Sequence, residues 1–381
     1  MLSINNKDNQ NNFFYNIDNK FLDSIDSSIN NGCLYLINNI KENGSFNYQY
    51  NPTTSSFHAG YNILRHAGSL YSLYKWMGND SSKLKLLPVV DNGLNYLTHQ
   101  IYPLNVEGNC AHYVKEEGVA KLGGTALALL ALTEREKITN DITYHSLMYN
   151  LAEFILWMQK PSGQFYSTLS PDSFTFSEFE SEYYPGEALL SLIRLFKLDN
   201  NDEWINAAEK GAYYLINVRD HNKTVEMLPP DHWLTIALSE LYELSPTILY
   251  RNHITKLTDS IVYSLTSFKS SYTNKWYDKF TSAQMATRAE GLGAAIELEI
   301  NLKNRNRSVF LLELLEQAIS FCISLQYTTN SQNSIYVVGG FKCSITNPRV
   351  RIDYAQHAVC AMLQYKKDTS LFTIVFPSNT K

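Results

Sequence analysis

Six ionisable side chains stand where a water-soluble chain does not ordinarily place them. Glu182, Glu187, Asp231, Glu290, Asp353 and His357 each lie inside or beside a stretch that is otherwise apolar. Charge removed from water is costly unless it is paired or used, so this set is the first candidate for chemistry. Carboxylates and imidazoles are the groups that move protons near neutral pH. On a glycosidic bond two carboxylates must face each other, ~5–5.5 Å apart for retention and ~6.5–9.5 Å apart for inversion. Beside them stand groups suited to holding a polar substrate: Arg65, His66, Tyr183, Tyr184, His232, Trp233 and Arg288. A tyrosine can stack on a sugar face, or carry protons together with His66, His232 or His357.

Several of these residues also have plain structural readings. Asp231 follows Pro229-Pro230 and suits a helix N-cap. His232 reads equally as a hydrogen-bonded core histidine. Arg65 and Arg288 are expensive on buried helices without a counter-charge, and Glu290 and Glu182 are the partners expected for them. The same guanidinium forks could instead grip a substrate carboxylate.

The elements that must position these groups are helices throughout. Apolar residues recur at helical spacing over Phe21–Ile40, Tyr61–Met77, Ser82–His99, Leu122–Leu132, Thr143–Met158, Tyr184–Phe196, Glu203–Ile216, His232–Tyr242, Ile248–Leu265, Thr287–Ile300, Val309–Leu325 and Asp353–Tyr365. Two kinds alternate. One is small and apolar all round, as in Gly123–Leu132, and must be buried on every side. The other keeps a Lys/Glu/Asn face for water and ends in an apolar turn, a polar turn and an extended aromatic stretch. The buried kind begins near residues 61, 121, 184, 231, 287 and 353, a period of about 60 residues that marks a repeat architecture.

Six inner and six outer helices form a closed (α/α)6 toroid most economically, because closure leaves no end repeat exposed. The expectation is an all-α fold of six helical hairpins with short extended segments in the loops. It comprises a polar N-terminus over 1–18, one domain over 19–370 and a tail over 371–381. The inner helices then run parallel, and the residues that begin them meet on one rim. Tyr183-Tyr184-Pro185-Gly186-Glu187, approached by the acidic run Glu178-Phe-Glu-Ser-Glu182, is the leading part of that rim.

The stretch Gly339-Gly340-Phe341, followed by Asp353-Tyr354-Ala355-Gln356-His357, resembles a repeat of the α/α-toroid enzymes, in which a Gly-Gly turn leads to an Asp and a His at an inner helix start. The hairpin period and aromatic loops are equally similar to the six-hairpin glycosidase superfamily. That resemblance implies a glycoside hydrolase, polysaccharide lyase or sugar epimerase acting on an oligosaccharide or other small polar substrate without a cofactor. A looser similarity, to prenyltransferase β subunits and lanthionine cyclases, implies zinc on Asp353, His357 and a cysteine. Cys343 and Cys110 are the candidates, although the Asp-x-Cys and Cys-His-Gly elements of those enzymes are missing. A non-catalytic binding or scaffold toroid is the third reading.

Composition narrows the partners. A net charge of −5 with no basic tract argues against nucleic acid. No apolar run approaches the ~20 residues of a membrane span. Five scattered cysteines and a polar, Asn-rich start without an apolar leader segment suggest a cytoplasmic, reducing environment. The sequence sets no oligomeric state.

Overall fold

The computed structural model describes residues 18–106, 108–267, 279–328 and 334–377. Among them are twelve α-helices: α1 (Asn19–Asn38), α2 (Ile63–Gly78), α3 (Leu87–Thr98), α4 (Leu122–Thr139), α5 (His145–Trp157), α6 (Tyr184–Asp199), α7 (Asp202–Tyr214), α8 (His232–Leu244), α9 (Ile248–Thr266), α10 (Ser282–Asn301), α11 (Arg305–Ser324) and α12 (Ile352–Val375). Each even-numbered helix packs on the next even-numbered one, and α12 packs back on α2, so six inner helices close a ring. The odd-numbered helices lie outside it. The fold is an (α/α)6 toroid. The first helix belongs to the last hairpin: α1 packs chiefly on α12, so the two ends of the ring are joined by contact as well as by chain.

Burial follows the two helix types read from the sequence. Every residue of α4 from Leu122 to Arg135 is buried, whereas α7 buries only Trp204, Ala207, Ala208, Gly211 and Ala212. Several helices depart from expectation: α4, for one, runs on to Thr139 where an end at Leu132 was expected. Helix α10 begins at Ser282, not near 287, because Thr281 and Gln284 form a reciprocal capping box. Helix α12 runs on to Val375, into the stretch expected as tail.

The loops hold more sheet than the sequence suggested. Strands β1 (Gln49–Asn51), β2 (Ser56–Phe57) and β8 (Val350–Arg351) form one small antiparallel sheet. Strands β3 (Ile101–Val106), β4 (Asn109–Glu116), β5 (Val119–Lys121), β6 (Thr168–Ser170) and β7 (Thr175–Phe176) form a five-stranded one. Strand β4 packs on α5, with Tyr113 against Phe154 at 5.6 Å between ring centres. It also carries Glu116, whose Oε1 accepts the Ile63 N–H at 2.5 Å and so caps α2 from outside the helix.

Three outer helices end in the same device. Gly44, Gly163 and Gly339 have φ of +82°, +93° and +82°, and each lies against a backbone carbonyl of a neighbouring outer helix, at Asn92, Lys210 and Asn31. A β-carbon at any of the three would collide with that carbonyl. Gly339→Ala should therefore cost about 2–4 kcal/mol, from left-handed strain plus overpacking, read as a lowered midpoint in urea unfolding. Unchanged stability would contradict this account of the turn.

Candidate functional site

The ring interior is identified by contacts between helices that are not neighbours around the ring. Trp233 on α8 meets Tyr71 on α2, directly opposite, at 6.4 Å between ring centres. His232 on α8 meets His357 on α12 edge-to-face at 5.3 Å, and Trp233 lies 6.3 Å from His357. The side chains that fill the lumen thus come from separate repeats, and none of these pairs is close in sequence.

His357 is held by a carboxylate. Its Nδ1 lies 2.6 Å from Glu290 Oε1. A carboxylate only accepts, so Nδ1 carries a proton toward Glu290 and Nε2 is the nitrogen left without that partner. His232 is 4 % exposed, and neither of its ring nitrogens has a hydrogen-bond partner. Burial, then the nearby His357 and Arg288, push its pKa well below the ordinary histidine value, so the ring is neutral. An unpartnered, neutral imidazole beside a carboxylate-oriented one is an arrangement suited to proton transfer.

Two carboxylic acids lie close by. Glu187 is in the first turn of α6, and its Oε2 is buried without a partner. Burial, reinforced by Asp231, pushes its pKa up to about 8. Gly123 makes room for it: a β-carbon there would collide with Glu187 Oε2 and the Tyr184 ring. Asp231 caps α8, accepting the Leu234 N–H on Oδ1 at 3.0 Å, while Oδ2 is orphaned. Burial pushes its pKa up to about 7, against the lowering effect of Arg219 and the Leu234 N–H.

A raised carboxyl pKa means that the folded state holds the proton after the unfolded state has lost it. Stability then falls as pH rises from the unfolded value, ~4.3, toward the folded one. Glu187→Gln, which mimics the neutral acid, should leave thermal stability nearly unchanged at pH 5 and raise it relative to wild type at pH 8. Melting curves at the two pH values check this, and a variant that loses stability equally at both would contradict it.

The other expected site residues are placed differently. Asp353 is no free acid: it accepts from Arg351 at 2.5 and 2.9 Å and pairs with Arg65 at 3.1 Å. Arg65 therefore pairs with Asp353 and not with Glu182 or Glu290. Among the described residues Arg288 meets no carboxylate. It donates to Ser264 Oγ at 2.9 Å and Gln284 O at 2.8 Å, and desolvation lowers its pKa. The arginine–glutamate pairings expected from the sequence are absent among the described residues, because Glu290 is committed to His357 and the Glu182 side chain is exposed.

His66 is a satisfied core histidine. It donates through Nε2 to Gly93 O at 2.9 Å and accepts at Nδ1 from Tyr61 Oη at 2.7 Å, and burial lowers its pKa to about 4. Both nitrogens are spent, so it is removed from the substrate-binding set. Trp233 is buried and forms floor, not groove wall. Tyr184 is half-buried at the start of α6, with its ring against Phe179. Tyr183, 38 % exposed, faces the His232 ring at 6.3 Å and is the aromatic best placed to meet a ligand.

Two groups were not singled out from the sequence. Arg219 donates to the Glu182 carbonyl at 3.3 Å and grips Asp220 at 2.6 and 2.8 Å, fastening the acidic loop to the turn after α7. Asp220 also receives His253 at 3.2 Å and Lys223 at 3.0 Å. The adjacent Arg219-Asp220 pair in an otherwise neutral helix end was the available signal.

The zinc ligands suggested by the looser resemblance do not come together, since Asp353 spends both oxygens on arginines. Among the described residues, the three side chains able to share a metal ion are His232, Glu290 and His357, with ligand atoms within 4.8 Å of one another. The Arg288 charge beside His232 works against a cation there. All five cysteines are free thiols. No helix among the described residues is long and apolar enough to cross a membrane.

No family profile matches the chain, and no curated protein is similar to it in sequence. The fold, by contrast, is shared with solved structures. Cellobiose 2-epimerase from Spirochaeta thermophila superposes with a TM-score of 0.67 at 13% identity, over 92% of this chain and 98% of that one. A D-mannose isomerase gives 0.63 at 13%, over 92% and 99%. An inactive variant of the α-1,6-mannanase GH76A of Salegentibacter sp. HEL1_6, in complex with α-1,6-mannotetrose, gives 0.63 at 12%, over 90% and 99%. These similarities span nearly the whole of each chain and establish the (α/α)6 architecture.

Proposed function

We propose that the protein is a carbohydrate-active enzyme of the isomerase or epimerase kind, moving a proton at the carbon next to the carbonyl of a reducing sugar. The observation that carries this reading is the lumen pair: His357, oriented by Glu290, beside a neutral His232 with both nitrogens free. In this scheme His357 Nε2 takes the proton from C2, and the C–H electron pair becomes the C1–C2 double bond. The carbonyl oxygen takes up negative charge, and His232 or the Arg288 guanidinium stabilises it. Glu290 stabilises the imidazolium formed on His357. Returning the proton to C1, with the O2 hydroxyl proton passed to O1 so that the carbonyl forms at C2, gives isomerisation, and returning it to C2 after the enediolate has turned its other face to His357 gives epimerisation. All the proton transfers use side chains of this chain, without a cofactor. The epimerase and isomerase that share the fold support the reading, and a small sugar or oligosaccharide is the substrate class.

A hydrolytic reading is favoured by a separate observation, the protonated, partly orphaned Glu187 and Asp231, since a carboxyl raised into neutrality is a general acid. One experiment separates the two. The purified protein is incubated with glucose, mannose, cellobiose and an α-1,6-mannooligosaccharide, and the products are resolved by anion-exchange chromatography. Interconversion at constant chain length supports the proton-transfer reading. Shortened oligosaccharides without interconversion would replace it with hydrolysis.

A further inference from the structure

The lumen trio can hold more than a proton. His232, Glu290 and His357 each offer one ligand atom, and the three atoms lie within 4.8 Å of one another. They come from three inner helices: His232 opens α8, Glu290 lies in α10 and His357 in α12. Helix α10 packs on both α8 and α12, so the three side chains are carried by one block of packed helices. Ligands on such elements are held more precisely than ligands on loops.

The donor set is two imidazoles and one carboxylate. Imidazole nitrogen suits zinc and its transition-metal neighbours, whereas magnesium and calcium take oxygen. His232 supplies the observation that points to a ligand. It is 4 % exposed, and both of its ring nitrogens are buried without a hydrogen-bond partner. In either neutral tautomer one of those nitrogens is a bare lone pair, and a buried polar atom left unsatisfied costs about 1–3 kcal/mol. A metal ion draws its nitrogen and oxygen ligands to ~2.0–2.2 Å, so the three atoms must close up around it. His232 can make that move without breaking a hydrogen bond.

Charge sets the strength. Glu290 brings the one carboxylate of the trio, and the Arg288 guanidinium, fixed by Ser264 and Gln284, lies near His232. That positive charge opposes a cation and weakens its hold, which suits an ion that comes and goes.

We propose that His232, Glu290 and His357 form a reversible site for a zinc-class transition-metal dication, and that the bound ion switches the lumen chemistry off. The inhibition rests on the proton-transfer reading above. Whichever nitrogen of His357 the ion takes, that scheme needs it: Nδ1 for the hydrogen bond to Glu290, Nε2 for the proton. The binding itself does not depend on that reading.

Chelator-treated, full-length protein is titrated with cobalt(II) and followed by the visible absorption of the bound ion. The expected result is one equivalent per chain at the trio, displaced by zinc but not by magnesium or calcium. His232→Asn should weaken cobalt binding at least tenfold. Arg288→Gln, which removes the opposing charge, should tighten it at least threefold. The rival soft site is the exposed Cys110, whose Sγ lies 3.8 Å from His112 Nδ1, so Cys110→Ser should bind cobalt as wild type does. On any sugar that the wild type interconverts, saturating zinc should slow turnover at least tenfold, and EDTA should restore it. The proposal is overturned if cobalt does not bind, if binding is lost in Cys110→Ser, if a folded His232→Asn binds as wild type does, or if turnover is unchanged with zinc bound. Should His232→Asn not fold, Arg288→Gln decides in its place, and unchanged affinity in that folded variant would overturn the site. Cobalt binding as described in a protein that interconverts no sugar would support the site and count against the proton-transfer reading alone.

Discussion

His357→Asn is expected to lower the turnover number for sugar interconversion by about 10³-fold while leaving the fold intact. Asparagine can still donate to Glu290 Oε1, so the lumen keeps its hydrogen bond and loses only the basic nitrogen. Glu290→Gln removes the charge that orients His357 and stabilises its protonated form, and should cost less, about 10–10²-fold, mostly in kcat. The order of these two effects is the informative part. A base held by a carboxylate requires His357→Asn to be the more damaging, measured on whichever sugar pair the chromatography identifies. If Glu187→Gln proved far more damaging than either, the lumen pair would not be the proton-transferring unit.

The second large effect is on stability. Asp220→Ala should destabilise the protein by about 3–5 kcal/mol, because it strands the half-buried Arg219 and Lys223 cations that now share one buried carboxylate. Asp220 is fully buried and is held by Arg219, Lys223 and His253. Burial alone would raise its pKa, but hydrogen bonds from His253 and Arg219 hold it well below the usual carboxylate range. A carboxyl depressed in the folded state contributes stability above its unfolded value, ~3.9, and loses that contribution as pH falls through the folded one. The wild-type melting temperature should therefore fall more steeply on acidification than that of Asp220→Ala. Chemical unfolding at pH 7 and thermal melts between pH 3 and 7 check both statements. Equal acid sensitivity of the two proteins would show that the Arg219–Asp220–His253 cluster is not the anchor described.

The repeat was legible because each inner helix must be apolar on every side, and such stretches as Gly123–Leu132 have no other stable home in water. The ring order followed from the period. The five-stranded sheet was not legible: Ile101–Val106 and Asn109–Glu116 are short, and the partners of β5 lie some fifty residues on, at β6. The candidate site was legible as a set of residues but not as a set of partners. His232, Glu290 and His357 come from three different repeats, and the capping box that starts α10 at Ser282 places Glu290 about two turns inside the helix instead of at its start. His66 looked as suitable as His357 in sequence. Only the Gly93 carbonyl and the Tyr61 hydroxyl, contributed by other turns, distinguish a spent imidazole from a free one. Asp353 was likewise misread for want of a neighbour, since β8 brings Arg351 to it two residues away.

The acidic approach Glu178–Glu182 attracted notice by its charge, yet its glutamate side chains lie exposed to water. What matters there is the backbone, which Arg219 holds through the Glu182 carbonyl, and Tyr183, which meets His232. The charge density of a loop was a poor guide, and burial without a partner, as at His232 and Glu187, was a better one.

The central claim, that His357, assisted by His232, moves a proton at the carbon beside a sugar carbonyl, is tested most directly by proton NMR in deuterium oxide. Wild-type protein is incubated with mannose, glucose and cellobiose, and the C2 proton signal is followed with time. The account predicts loss of that signal for at least one sugar, at a rate abolished in His357→Asn and strongly reduced in His232→Asn. Retention of every C2 proton alongside release of new reducing ends from an oligosaccharide would contradict it.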